Sequence, residues 1–412
     1  MESRQHSRRP NRTLLLCAAV LLLVTAAWAL GATKLIYSFG GGVDGEYTDT
    51  ELVMDGAGNL YGTSVQGGAF NSGTVFSVTP AGVHTVLYSF TGGKDGGEPY
   101  KGVTLGLDGN LYGTAVAGGA GSCDGGCGVV FKLTNADGAW TQSVIHTFTG
   151  GDDGSGPGSP VAFDARGNIY GTTPTGGEDG MGVVYQLRPK LAGGWVLQVI
   201  HAFSGGADGA GGSAGKLLID AEGDLFGVCT AGGANGFGTA YEISPRQGRW
   251  EFATLYAFQD QPDGALPYGG LVADKTGNLY GTTYYAGAND QGTVYRLSRS
   301  NGTWTETVLY SFKGGTDGAA PISSLVADAS GNFYGTTSAG GSGCGCGVIF
   351  KMTRTASGKW VEGVVYRFPG APAPGTAYNG LVRDAAGDFF GATVNGGGGN
   401  NGALYEFTPT TP

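Results

Sequence analysis

The chain reads as an all-β, seven-bladed propeller with four-stranded antiparallel blades. Three observations predict this. First, one phrase recurs seven times: L-V-x-D-x-x-G-N-L-Y-G-T-T, a Gly-rich gap, G-T-V-[FY]-x-L, a spacer, and [VL]-[IL]-[YH]-x-F-x-G-G-x-D-G. Its closing phenylalanines are Phe39, Phe90, Phe148, Phe203, Phe258, Phe312 and Phe368, spaced by 51, 58, 55, 55, 54 and 56 residues. A steady period of that size marks one supersecondary unit stacked many times. Second, each unit carries four short runs rich in Val, Tyr, Phe, Thr and Leu, and no window sustains a helical period. Third, the two ends of the repeat array are complementary, which predicts closure into a ring.

In the sixth repeat the four runs are 304–312, 324–328, 332–337 and 347–352. The runs at 324–328 and 332–337 are joined by Asp-x-x-Gly-Asn, a turn whose residue types accept positive φ. The last repeat supplies 381–384, 388–393 and 403–407 and lacks a fourth run, while 34–39 (K-L-I-Y-S-F) precedes the first full unit. One N-terminal strand with three C-terminal strands completes the seventh blade and leaves no open seam. A single propeller over 33–408 is therefore expected, since each blade needs its neighbours to bury its faces.

Repetition gives several conspicuous residues a structural role. Trp140, Trp195, Trp250, Trp304 and Trp360 each stand eight residues before a closing Phe. That even offset puts both rings on one face of a strand, at the blade periphery or between blades. The glycines after the strand aromatic, such as Gly62 and Gly171, are expected to let neighbouring sheets approach closely. His146 and His201 take the register of Tyr88, Tyr256 and Tyr310 and read as packing variants.

The 412 residues include 83 Gly, 41% hydrophobic and 14% charged residues. That balance describes a turn-rich folded β protein. Residues 1–32 differ: Arg4, Arg8, Arg9 and Arg12 precede an apolar run from Leu14 to Leu30 that contains Ala27-Trp28-Ala29. This is the layout of a secretory signal ending at Ala29, an uncleaved membrane anchor being the alternative. Removing 1–29 takes away four Arg and Glu2 and moves the formal charge from −10 to −13. An acidic protein of this kind is not built to bind nucleic acid. The protein is expected outside the cytoplasm (secreted, periplasmic or on the cell surface) and monomeric, meeting a membrane only through an uncleaved leader.

Cys123 with Cys127, and Cys344 with Cys346, occupy the same inter-strand gap in repeats two and six. Two local disulfides are expected in an oxidising compartment, the Cys-x-Cys ring being tight enough to strain its bridge or prevent it. Zinc is the alternative for these pairs, although no His stands beside them. Cys229 is expected to be a buried free thiol.

The strand-four-to-strand-one loops, F-x-G-G-x-D-G, and the Gly-Gly gaps are expected on one face of the ring. The first set supplies Asp44, Asp95, Asp153, Asp208, Asp263 and Asp317, with Pro374 in the seventh repeat. Six carboxylates on one rim are candidates for binding cations, calcium above all, or sugar hydroxyls. The competing reading is that each closes its own turn, which is what repetition in nearly every blade favours. A second series (Asp55, Asp164, Asp220, Asp274, Asp328, Asp384) precedes the opposite-face turns, and repeat two has Gly106 there. Gly211-Gly212-Ser213-Ala214-Gly215 matches G-x-S-x-G in an inter-blade loop without a strand-to-helix elbow. Lys101, Lys216, Arg166 and Arg383 break the repeat but form no recognisable acid–base constellation, so no catalytic residue is assigned and no cofactor is required.

The phrases Gly-Asn-Leu-Tyr-Gly-Thr, Gly-Thr-Val-Phe and Leu-Tyr-Ser-Phe-x-Gly-Gly-x-Asp-Gly resemble those of the GloVer (Gloeobacter/Verrucomicrobia) tandem-repeat proteins over about 34–407. The resemblance implies a bacterial exported propeller, often with a C-terminal sorting or anchoring tail, and brings no catalytic residues. This chain departs from that pattern in ending at Pro412, directly after its last strand. The turn wording is also similar to that of gluconolactonase-type and NHL propellers, a likeness of fold that carries no function. Two function classes follow. The first is an exported non-enzymatic scaffold that binds a polysaccharide, peptide or surface partner. The second is a hydrolase, lyase or lactonase acting on sugars, which needs non-repeated acidic or His residues at one mouth of the central channel.

Overall fold

The computed structural model describes residues 31–410 except 213, 214 and 342. The expected signal at 1–29 lies outside the described residues. Seven antiparallel sheets stand around a ring. Blade one runs Val53–Met54, Leu60–Ser64, Thr74–Val78 and His84–Ser89, from the channel outward. Blades two to six repeat that order, blade six with an additional short strand, Ala319–Pro321, on Phe333–Ala339. Blade seven is Val382–Arg383, Phe389–Thr393, Ala403–Thr408 and, as its outermost strand, Ala32–Ser38. The N-terminal strand therefore closes the ring, as its sequence position predicts.

The seams between blades are aromatic. All seven closing phenylalanines are fully buried. Each sits edge-on against the ring at the middle of the next blade's third strand: Phe39 on Phe76 at 5.0 Å, Phe148 on Tyr185 at 5.2 Å, Phe368 on Tyr405 at 5.2 Å. These are favourable T-shaped contacts between large apolar surfaces. The tryptophans add an outer layer: Trp140 meets Tyr61 of the preceding blade at 6.3 Å and Trp250 meets Tyr170 at 6.1 Å. Threonines of the G-T-T phrase tie blades together nearer the channel. Thr114 Oγ1 donates to Ser159 O and Thr282 Oγ1 to Ser323 O, both at 3.0 Å across a seam.

The glycine after the strand aromatic serves a different purpose from the expected one. Gly62 pairs with Phe76 and Gly171 with Tyr185 inside one blade. A Cβ on Gly171 would stand 2.4 Å from the Tyr185 hydroxyl, and one on Gly62 would stand 2.8 Å from Phe76 Cζ. The glycine makes room for the central ring of its own sheet, and that ring then reaches the neighbouring blade's Phe.

Blades three, four, five and seven use tyrosine for this ring, and the buried hydroxyls of Tyr185, Tyr241, Tyr295 and Tyr405 have no hydrogen-bond partner among the described residues. An unsatisfied buried hydroxyl costs about 1–3 kcal/mol, and blades one, two and six already use Phe76, Phe131 and Phe350. Changing the four tyrosines together to Phe is expected to raise the thermal midpoint. Calorimetry that finds the quadruple variant less stable than the parent would refute this account of the seams.

Candidate functional site

The rim carboxylates are committed to their own loops. In all six loops the Asp accepts the backbone N–H four residues earlier and a Tyr or His side chain seven residues earlier. Asp95 takes Thr91 N at 2.9 Å and Tyr88 OH at 2.8 Å, and Asp317 takes Lys313 N and Tyr310 OH, each at 2.8 Å. Asp44 takes Gly40 N and Tyr37 OH, both at 2.6 Å, and Asp263 takes Gln259 N and Tyr256 OH. In two blades histidine replaces the tyrosine, His146 facing Asp153 and His201 facing Asp208, each at 3.1 Å. Their backbone donors are Thr149 N and Ser204 N. Burial outweighs the adjacent carboxylate and holds both imidazoles below the ordinary histidine value. Burial also pushes the Tyr88 hydroxyl up to about 12, helped by its bond to Asp95.

One register column beside these loops varies. Six residues before the closing Phe stand Thr33, His84, Gln142, Leu197, Phe252, Glu306 and Glu362. His84 meets Asp44 at 3.1 Å, whereas Glu306 and Glu362 bring a second carboxyl toward Asp263 and Asp317. Burial first, and then the neighbouring Asp, push Glu306 and Glu362 each up to about 8. The column carries no sequence signature, because its residue type changes from blade to blade and only blades five and six share one.

On the opposite face Asp55 accepts Ala57 N, Asn59 N and Asn59 Nδ2, each at 2.9 Å, and Tyr61 OH at 3.0 Å. In blade two Asp108 stands in for the missing Asp at Gly106, bonding Asn110 and Tyr112. Blade four replaces the Asn and Tyr partners by Asp224 and Phe226, and Arg246 pairs with Asp224 at 2.8 Å. Arg166 lines a cleft of about 640 Å³ between blades three and four on this face, and Arg383 lies over the Phe389 ring.

Both cysteine pairs are bonded, Cys123–Cys127 and Cys344–Cys346, each within a single strand-two-to-strand-three loop. Cys229 is free and buried, and burial pushes its thiol up. Ser213 of the G-x-S-x-G match lies outside the described residues.

Lys101 and Lys216 enter the central channel. The position just ahead of each innermost Leu-Val or its equivalent carries Glu51, Gly102, Pro160, Lys216, Gly270, Ser324 and Gly380. Only blades one and four project long side chains there, from opposite sides of the ring. Burial pushes Glu51 up against the pull of Lys101 and Lys216, and burial holds Lys216 down against the pull of Glu51. One residue nearer the rim face, Lys101 Nζ stands 3.2 Å from Asp49 Oδ1 and 3.3 Å from Asn379 Oδ1. Asn379 Nδ2 in turn donates to Asp49. The channel therefore holds a cluster drawn from blades one, two, four and seven, none of it repeated.

Tyrosines edge this mouth. Tyr47, Tyr268 and Tyr284 are 44%, 37% and 38% exposed, and Tyr268 and Tyr284 meet at 5.6 Å with their planes 75° apart. Tyr100 and Tyr378 are half-buried beside them. Burial raises their hydroxyls, with further upward pushes from Asp49 and Tyr47. Below the tyrosines lies a well of about 40 Å³, whose lining includes Glu51, Lys101, Tyr268, Tyr378 and Asn379. Among the described residues, no three His, Cys, Asp or Glu side chains converge on a point that could hold a metal ion.

Comparison with solved structures gives the same fold at low identity. A candidate 6-phosphogluconolactonase from Bacteroides uniformis superposes with a TM-score of 0.53 at 15% identity, over 81% of this chain and 88% of that one. A protein from Lactobacillus plantarum gives 0.51 at 12% identity, over 85% and 98%. An ancestral GH74 enzyme gives 0.53 at 11% identity, over 89% of this chain and 48% of that one. At these identities the likeness is one of fold. No curated protein matches the sequence. The Gloeobacter/Verrucomicrobia repeat model matches residues 23–138, 121–314 and 213–412. Its overlapping matches take in every blade, and the chain belongs to the Gloeobacter/Verrucomicrobia repeat family.

Proposed function

We propose that this protein is an exported, non-enzymatic binding scaffold whose ligand docks on the tyrosine-edged mouth of the central channel. The observation that carries this reading is the break in symmetry. Six of the seven blades share a self-contained rim loop closed by its own Asp, whereas Asp49, Glu51, Lys101, Lys216 and Asn379, none of them repeated, come together at one mouth of the channel. A ring of equivalent turns has no reason to concentrate non-equivalent polar and aromatic groups unless one asymmetric partner meets them there. The rim carboxylates are left to their loops. The disulfides in the two long loops suit an oxidising compartment, in keeping with the leader-like composition of 1–29.

A polysaccharide is the first candidate ligand, ahead of a peptide or surface protein. A thermal-shift screen against neutral and acidic glycans, peptides and calcium tests the reading, because a ligand raises the melting temperature by mass action. The parent is expected to be stabilised by at least one ligand, and the double variant Tyr268→Ala/Tyr378→Ala to lose that shift while keeping its own melting temperature within a few degrees. A shift that survives in the double variant would remove the mouth from consideration. Turnover of a lactone or glycoside that depends on Glu51 or Lys216 would favour an enzyme acting on sugars instead.

A further inference from the structure

We infer that the channel mouth holds the terminal hexose of a neutral glycan, its ring against the tyrosines and its exocyclic hydroxymethyl group in the well. This rests on the binding reading above and adds the ligand's chemistry to it. Size decides the first part. The well measures about 40 Å³, room for a few waters at about 10–15 Å³ each, so a sugar ring cannot enter but one small substituent can.

The lining decides the second part. Lys101 Nζ has three hydrogens and spends two of them on Asp49 and Asn379, which leaves one to donate. Glu51, on the wall of the same well, offers carboxyl oxygens that accept. A hydroxyl both donates and accepts, and so satisfies both. The channel cluster contains two acids, Asp49 and Glu51, and two lysines, Lys101 and Lys216, so no excess of either sign selects a charged ligand. A carboxylate from a uronic acid would stand against Glu51 as well as Lys101 on the wall of the well, so its attraction to the lysine is offset by repulsion.

The tyrosines decide the third part. A pyranose has apolar C–H faces and a polar edge, and a tyrosine presents an apolar ring with a polar tip. Tyr268 and Tyr284 meet nearly at right angles, which forms a corner able to take the face and one edge of a ring. The well is too small to pass a sugar ring into the channel beneath, so the rest of the glycan must run outward across the rim face. The geometry thus selects a chain end or a branch over the middle of a threaded chain.

Calorimetric titration with gluco- and manno-oligosaccharides, the matched xylo-oligosaccharides and oligogalacturonides tests this. Xylose lacks the hydroxymethyl group, and galacturonate replaces it with a carboxylate. A neutral hexose series is expected to bind at least ~10-fold tighter than xylo-oligosaccharides, the scale of discrimination that one buried group supplies. Lys101→Met is expected to erase that preference, and Tyr268→Ala to weaken every sugar, while Tyr268→Phe retains binding. Equal affinity for xylose and hexose oligomers, or tightest binding of galacturonides, overturns the inference. Binding of a peptide or surface protein that Tyr268→Ala/Tyr378→Ala abolishes, with no hexose binding, also overturns it but leaves the scaffold reading standing. If the double variant loses nothing that the parent binds, the scaffold reading falls as well.

Discussion

Replacing Phe39 by Ala is expected to destabilise the protein by about 3–5 kcal/mol, the usual cost of emptying a buried phenylalanine site. Phe39 is fully buried, packs on Phe76 of blade one, and its backbone N–H donates to Gly402 O of blade seven. It therefore fixes the strand that closes the ring. The equivalent change at Phe203 empties a similar site at an internal seam, where the outer strand Trp195–Ala202 is joined by a hairpin to the third strand of its own blade. The two variants should differ in how the loss is distributed. Phe39→Ala is expected to let Ala32–Ser38 open without global unfolding, whereas Phe203→Ala should lower the stability of the ring as a whole. Native-state hydrogen exchange distinguishes them. If amides of Ala32–Ser38 in Phe39→Ala still exchange only through global unfolding, the N-terminal strand does not hold the ring shut in the way proposed here.

Glu306→Gln/Glu362→Gln is expected to flatten the dependence of stability on pH above about pH 5. In the folded protein both carboxyls are raised from 4.5 to about 8 by burial and by the facing Asp263 and Asp317. The native state therefore keeps protons that the unfolded chain has released. The sign follows: the contribution is intact below pH 4.5 and is lost progressively as the pH climbs to about 8. Parent and double variant should match near pH 5. Near pH 8.5 the variant should be the more stable, by on the order of a few kcal/mol for the two sites together. Urea denaturation midpoints at the two pH values provide the measurement. A parent midpoint unchanged between them would show that these glutamates are not held apart from water.

Much of this molecule was legible in one sequence because a repeat states its register over and over. The closing Phe, the strand-four Trp and the Asp of each turn recur at fixed offsets, and their partners lie within the same blade or the adjacent one. Tyr88 and Asp95 are seven residues apart, and the bond between them is nearly a local matter. The role of Gly62 and Gly171 was harder to read. A glycine reports that a Cβ is unwelcome, but only the pairing register shows that the ring of Phe76 or Tyr185 takes the space. The Glu306 and Glu362 column was invisible for a related reason. A glutamate in an outer strand looks solvent-facing until the neighbouring blade's loop is laid over it.

By itself the sequence determined the seven-bladed architecture and its closure by the N-terminal strand, and it pointed to the Cys123–Cys127 bond and to a turn-closing role for the rim Asp while leaving the Cys344–Cys346 bond and a binding role for those Asp open. Each of these depends on period, spacing or local turn chemistry, which a linear chain displays directly. It also marked Lys101 and Lys216 as breaks in the pattern, without showing that they belong together. Only the tertiary structure decided that. Asp49 and Asn379 are 330 residues apart in the chain and become hydrogen-bond partners because the ring closes and brings the starts of blades seven and one side by side. A propeller converts positions at the same register into neighbours around one channel. The chemistry at its mouth is therefore a property of the closed ring and of no single stretch of sequence.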